Sequence, residues 1–334
     1  MTSFLGSLRQ FLLAPKLSAV TFAERGFPGA ESPSAERLEA IPQAVVCGFE
    51  WGIAARDLWE VERRLELVEV EQRGFAYEGA TMAFTVRDAM AGGKGTRTRD
   101  LLLGPAAPHL LLAYIGIGFA MARLPRPLWR NIVPDLTGTL FYPTMTWLAV
   151  DGYGFDLAYF HTEKYIDEQK VPPPYPWEGR PDYFPRAVDQ GIGRALWFMG
   201  GAEPDTVAAS VERFPAARRA DLWSGVGLAA TFAGGASAEQ LAQVRAAAGE
   251  HWPELGLGAV FAISARVMAG HVPDHSAVAC EVLAGNSVND AVVLAGRTAS
   301  VTTPEDDTVP TYEHWRNRIR AELSAISDDQ RKAS

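Results

Sequence analysis

A pair of glycines inside an apolar run recurs seven times along this chain. The runs are GFEWGIAA at Gly48, GFAYEGATMAF at Gly74, IGIGFAMARL at Gly116, DGYGFDLAYF at Gly152, QGIGRALWF at Gly191, SGVGLAATF at Gly225 and LGLGAVFAI at Gly256. Successive intervals are 26, 42, 36, 39, 34 and 31 residues, with a mean near 35. A glycine inside a helix costs roughly 1 kcal/mol against alanine. Repetition on this scale calls for a structural return, and close approach of neighbouring backbones supplies one. The period is that of a helix-turn-helix unit in tetratricopeptide-like arrays.

The residues between the glycine runs read as a second helix in several units. AEPDTVAASVERF offers Pro204 for a first turn, with Val207, Val211 and Phe214 on one face. ASAEQLAQVRAAAGEHW offers Ser237 as an N-cap, with Leu241, Val244 and Ala248 along a stripe. The expected fold is all-α: irregular tetratricopeptide-like helix-turn-helix repeats, or a helical bundle with a central apolar cavity. Asp151, Asp189 and Asp221 each stand just ahead of a glycine pair, where they read as caps of the glycine-bearing helices.

Punctuation divides the chain. Residues 1–40 read as an amphipathic N-terminal helix and arm, with Phe4, Leu5, Leu8, Phe11 and Leu12 on one stripe. Helical repeats follow over 41–170 and 186–300. Between them VPPPYPWEGRPDYFP, residues 171–185, packs six prolines and four aromatics into a segment that cannot be helix, so it is either a stiff connector or an aromatic wall over a cavity. Residues 301–326 end in a capping helix with Trp315, Ile319, Leu323 and Ile326 on one face, and 327–334 read as a disordered tail.

Composition removes several function classes. A net charge of −9 without a concentrated basic face argues against nucleic-acid binding. Two cysteines, Cys47 and Cys280, encode neither a disulfide framework nor a thiolate metal site, and a reducing cytoplasm is the simplest address. The amphipathic N-terminus leaves peripheral contact with a membrane open. The apolar stretch Leu101–Leu124 is interrupted by Pro105, Pro108 and His109, leaving Leu110–Ala122 at the length of a core helix. The loop MAGGKGTRTRD lacks phosphate-loop spacing and reads as a flexible basic loop.

No nucleophile elbow, zinc-protease motif or dinucleotide fingerprint is present, so the sequence names no cofactor, and His271 with His275 lacks a third metal ligand. The polar groups set among apolar helices remain. Asp151, Asp189, Arg194 and Asp221 are the candidate acid, base or charge-stabilising groups. Trp51, Glu78, Tyr153, His161, Gln190, Arg218, Arg219 and Trp223 are candidate substrate contacts around a mostly apolar cavity. The competing structural reading pairs Arg218 or Arg219 with Asp189 or Asp221 to lock adjacent repeats.

Five segments, FAERGFPGA, RLEAIPQAVVCGFEWGI, VDGYGFDLAYFH, DQGIGRALWFMGGAE and FPAARRADLWSGVGLAATFAGG, together resemble the UnbL-like enediyne biosynthesis family over about residues 20–320. The resemblance implies a part in assembling enediyne-type or related polyketide natural products, whose precursor is a long conjugated polyene. It also implies a complex with other pathway proteins, a membrane protein among them. Two roles follow: an enzyme that modifies or folds the polyene, or a helical scaffold that presents it to partners.

Overall fold

The computed structural model describes residues 14–93, 95–299 and 309–333, with residues 9 and 11 besides. Its helices are α1 (Phe22–Arg25), α2 (Pro33–Ala54), α3 (Leu58–Leu65), α4 (Val70–Met90) and α5 (Arg97–Leu103). There follow α6 (Leu110–Arg123), α7 (Trp147–Phe160), α8 (Phe184–Met199), α9 (Pro204–Glu212) and α10 (Ala216–Ala233). The chain ends in α11 (Ala238–Ala248), α12 (Trp252–Met268), α13 (Asp274–Ala284), α14 (Val288–Ala299) and α15 (Thr311–Ala333). Among the described residues there is no strand, and the fold is all-α. Most of the expected N-terminal helix, Phe4, Leu5, Leu8 and Leu12 included, lies outside the described residues, as does the side chain of Ile326.

Each glycine pair falls in one of seven helices, α2, α4, α6, α7, α8, α10 and α12, and each of these packs on the next in a row. The reason is steric. A Cβ at Gly48 would meet the Ala76 carbonyl oxygen, one at Gly79 the Val45 oxygen, and one at Gly154 the Val188 oxygen, all at less than 3 Å. Gly193 faces the Leu222 oxygen and Gly227 the Leu255 oxygen in the same way. Contacts at the lower and upper ends of each junction rise together, as with Gly48 to Ala76 and then Gly52 to Ala80, Gly118 to Ala149 and then Arg123 to Asp156, and Arg186 to Asp221 and then Trp197 to Gly234, so the helices of the row run parallel.

The changing glycine spacing has a geometric cause. Residues two apart on a helix are separated by about 200°, so a GxG pair points to opposite sides. Gly116 faces α4 while Gly118 faces α7, and Gly152 faces α6 while Gly154 faces α8. A helix between two neighbours needs this arrangement. The first helix of the row, α2, has its glycines four apart, Gly48 and Gly52, and both face α4.

Return helices α3, α5, α9, α11 and α13 complete helix-turn-helix units at the two ends of the row. In the middle they are replaced by 3₁₀ turns at Arg126–Asn131 and Thr144–Thr146, by a π turn at Glu163–Asp167, and by the proline-rich strap. That segment is pinned to the surface of the stack. Arg126 donates to the Pro174 carbonyl at 3.2 Å, and Tyr175 and Phe184 join Trp129 in an aromatic cluster. The strap is therefore a packed connector, and its aromatics line neither of the apolar cavities described below.

The row curls until its ends meet. Arg37 on α2 donates to the Ala233 carbonyl at 3.2 Å, Arg266 on α12 donates to the Glu71 carbonyl at 2.9 Å, and Phe75 meets Phe232 edge-on at 5.3 Å. No single described helix is long and apolar enough to cross a membrane. Helices Arg97–Leu103 and Ala107–Arg123 would qualify only together, and they bend by 91°.

Helix α15 buries Trp315, Ile319 and Leu323, and it also buries two charges, Glu313 and Arg316. Glu313 accepts from Tyr183 Oη at 2.6 Å, Arg186 Nη2 at 2.9 Å, Arg316 Nε at 3.0 Å and Arg320 Nη2 at 2.6 Å. Burial pushes the Glu313 carboxyl up, but Arg316, Arg320 and Arg186 outweigh it and hold it at about 2. The helix continues through Ala333, beyond the point where the sequence reading ends it.

Two predictions follow from these contacts. Gly191→Ala places a methyl against the Asp151 carbonyl oxygen and should cost about 3 kcal/mol, because backbone cannot swing aside. Gly74→Ala, where an added Cβ meets only side chains, His109 Nδ1 at 3.3 Å and Leu112 Cδ2 at 3.4 Å, should cost about 1 kcal/mol or less, because side chains can give way. Equal urea midpoints for the two variants would remove the glycine contacts as the reason for the repeat. Because the folded-state pKa of Glu313 is depressed, its stabilisation is present above the ordinary value of 4.5 and is lost as pH falls towards 2. Glu313→Gln should lower stability by about 3 kcal/mol at neutral pH and flatten that acid limb in pH-dependent unfolding.

Candidate functional site

The glycine contacts decide where the buried polar groups stand. Asp151, Asp189 and Asp221 are not caps: each lies within its helix, because α7, α8 and α10 begin at Trp147, Phe184 and Ala216. The residues before each aspartate continue the helix backwards. An ionised side chain so placed needs a partner from a neighbouring element, and each has one.

Asp189 is held by Arg218 on α10, with Nη2 at 2.6 Å and Nε at 2.9 Å, while Arg218 Nη1 donates to the Gln169 carbonyl at 3.0 Å. Burial raises its pKa to about 6, against the pull of Arg218. Asp221 accepts from Arg186 at 2.8 Å, Arg316 at 3.3 Å and Gln190 at 3.0 Å, within the network that seats α15. Arg219 donates to the carbonyls of Phe214 and Glu212. These five candidates, Asp189, Asp221, Gln190, Arg218 and Arg219, line neither apolar cavity; they join helices to one another. Trp223 and Tyr153 are buried in packing, Tyr153 edge-on to Trp129 at 5.0 Å, and Trp51 packs against the core. His161 is exposed at the end of α7.

Three candidates come together inside the curl. Arg194 Nε donates to Asp151 Oδ1 at 2.6 Å, and Glu78 lies within electrostatic range of both. All three are under one-tenth exposed. Glycine contacts fix their backbones: Gly116 abuts the Glu78 carbonyl, Gly191 the Asp151 carbonyl, and Gly225 the Arg194 amide.

Two apolar cavities meet at this cluster. The larger, about 70 Å³, lies between α2, α4, α6, α7 and α8, with Phe49, Met82, Phe119 and Phe155 among its walls. The smaller, about 40 Å³, lies between α4, α6, α7, α8, α10 and α12 and includes Leu112, Ile115, Phe232 and Phe261. Phe75, Glu78, Arg194 and Phe198 are common to both. Each volume is several times what one water needs, yet the walls are almost wholly hydrocarbon. The aromatic walls were not singled out by the sequence reading. Their signal is the position of each aromatic a few residues after a glycine contact on the same helix, as with Phe119, Phe155 and Phe198.

Two polar groups of the cluster are unsatisfied. Arg194 Nη2 is buried with no acceptor among the described residues, and no hydrogen bond from them reaches the Glu78 carboxyl. Burial raises the Glu78 pKa to about 8, with Arg194 pulling it down and Asp151 pushing it up. Burial also raises Asp151, but its direct ion pair with Arg194 opposes that. One cation is thus shared by two carboxyls. The ion pair favours charge on Asp151, and burial without one favours the proton on Glu78. The result is a buried acid beside a fixed guanidinium, facing hydrocarbon walls.

No curated protein and no solved structure matches the chain. One family, described as "Protein of unknown function (DUF1702)", matches residues 4–323, nearly the whole length and all seven glycine-bearing helices. The chain belongs to that family.

Proposed function

We propose that the protein binds a slender, unsaturated apolar chain in the two inner cavities and moves a proton on it with Glu78. The observation that carries this reading is the buried, unbonded carboxyl of Glu78 in the wall common to both cavities, where burial raises its pKa and so favours the acid form. In the proposed step the carboxyl gives its proton to one carbon of the conjugated chain, and the carboxylate so formed takes a proton from another carbon. The net change is a shifted double bond or a closed ring, and the acid is regenerated. Arg194 stabilises the carboxylate while it is charged, and Asp151 holds Arg194 in place.

The resemblance to the UnbL-like enediyne biosynthesis proteins supports a polyketide natural-product pathway and a conjugated polyene as the chain. It also supports a cytoplasmic protein working in a complex with other pathway proteins, including one in a membrane. A scaffold that only presents the polyene has no observation in its favour to match the unbonded acid.

Native mass spectrometry of the protein with the linear polyene tests the reading. Wild type should form an adduct and then a rearranged product, whereas Glu78→Gln should keep the adduct and lose at least 100-fold in turnover, the scale of a lost general acid. Binding with no conversion by wild type would leave the scaffold role. Turnover should fall as pH rises through about 8, where Glu78 loses its proton. Stability carries a related signature. Because the folded-state pKa lies above the ordinary 4.5, folding retains a proton that the unfolded chain releases, so stability declines between pH 4.5 and about 8. Glu78→Gln should show a smaller decline over that interval.

A further inference from the structure

Two guanidiniums pack on the aromatic wall at one end of the larger cavity, one of them lining it. Arg123, at the end of α6, is exposed and lines it, with its guanidinium carbon 4.9 Å from the Phe160 ring centre. Arg25, at the end of α1, lies 5.4 Å from the same ring centre and 5.7 Å from that of Tyr159. Phe160 and Tyr159 both line the cavity. Arg25 donates through Nη2 to the Tyr159 carbonyl, while its Nε is buried with no acceptor among the described residues. The imidazole of His161 has its pKa lowered by burial first, then by Arg123, Lys164 and Arg25, which locates a positive field at this end of the stack.

The neighbouring carboxylates are already engaged. Asp156 accepts from Arg123 Nη1 at 2.8 Å, and Glu39 accepts from the Phe22 amide. Arg123 therefore has a single described carboxylate partner, and the face it turns to solvent keeps donors to offer. An apolar slot with cations at one end and a buried acid at its inner wall has the polarity of a chain with one charged end.

We propose that this rim binds the carboxylate end of the chain whose tail fills the cavity, so that the ligand is an unsaturated long-chain carboxylic acid and not a neutral hydrocarbon. The proposal rests on the reading of the cavities as chain-binding and adds to it the identity of the head group. The carboxylate meets Arg123 and Arg25, and the unsaturated tail passes Phe155 and Phe198 towards Glu78. Asp156 competes with the ligand for Arg123 and so sets the affinity.

A conjugated tetraene fatty acid, whose fluorescence rises in apolar surroundings, and its methyl ester serve as paired probes. Wild type should bind the acid at least tenfold more tightly than the ester, and the difference should shrink as salt rises. Asp156→Asn should tighten the acid and leave the ester unchanged. Arg25→Met with Arg123→Met and Asp156→Asn, which leaves no unpaired carboxylate behind, should bring the acid down to the ester's affinity. Ester binding by this triple variant reports that the fold survives; if it is lost, Arg25→Met with Asp156→Asn should bind the acid less tightly than Asp156→Asn alone with ester binding unchanged, and equal acid binding by those two variants would overturn the part of Arg25 in the rim. Equal binding of acid and ester by wild type would overturn the carboxylate rim and leave the cavity reading standing. Binding of neither probe by wild type would overturn both.

Discussion

Backbone against backbone is the contact on which this structure depends. Along the row from α2 to α12, carbonyl oxygens of one helix occupy the space where a Cβ of the next would be. Helix axes usually lie 8–10 Å apart with the side chains between them setting the gap, and glycine at the crossing point takes the row to the short end. At that distance Cα–H groups meet carbonyl oxygens, a weak contact that recurs at every crossing. The same kind of junction recurs where the return helices are missing, as at Gly118 against Ala149 and Gly154 against Val188. Side chains that would otherwise fill the junctions are displaced to the inner and outer faces. The inner faces supply the cavity walls.

Tight junctions also dictate how charge is handled. With no room between backbones, a charged residue on an inner helix must reach its counter-ion along the helix surface. The aspartates ahead of three of the glycine pairs do so: Asp151 pairs with Arg194, Asp189 with Arg218, and Asp221 with Arg186 and Arg316. Each arginine comes from the following helix or from an element packed across the junction. Breaking one such pair strands a buried charge, which costs several kcal/mol, so the pairs fix which helices adjoin. Glu78 departs from the pattern. It sits at the same kind of position on α4, beside the Gly116 contact, and has no arginine of its own. The fold's own regularity marks it as the group with something else to do.

The helical architecture was legible because its cause is steric and local. Only glycine removes the Cβ, so the seven pairs appear directly in the sequence, and the 31–42 residue intervals after Gly74 measure one inner helix plus its return. The change from Gly48–Gly52 to the GxG pairs puts both glycines of α2 on α4, and the two glycines of each of α6, α7, α8 and α10 on opposite neighbours. The caps were misread for a reason of the same kind. Glycine was taken to start a helix because it is a poor helix former, whereas TWLAV before Asp151 is helix as well and tertiary packing outweighs propensity. The charge pairs could be anticipated as a class but not sorted. Asp151, Asp189 and Asp221 look alike in sequence, and what separates them is whether the partner arginine faces the inside of the curl or the junctions around it.

Closure of the row explains why the site residues come from its middle. The contacts at Arg37, Arg266 and Phe75 bring the two ends together, and a closed row encloses whatever its inner faces present at mid-height. Glu78, Asp151 and Arg194 each lie beside a glycine junction, which is the level at which the helices are closest and least able to move. A buried acid keeps a shifted pKa only if its surroundings cannot relax to solvate it. Junctions made of backbone are the least compliant surroundings a helical protein can offer. The same glycines that set the spacing of the row therefore fix the backbones around Glu78, and the fold and the geometry of the site have one cause.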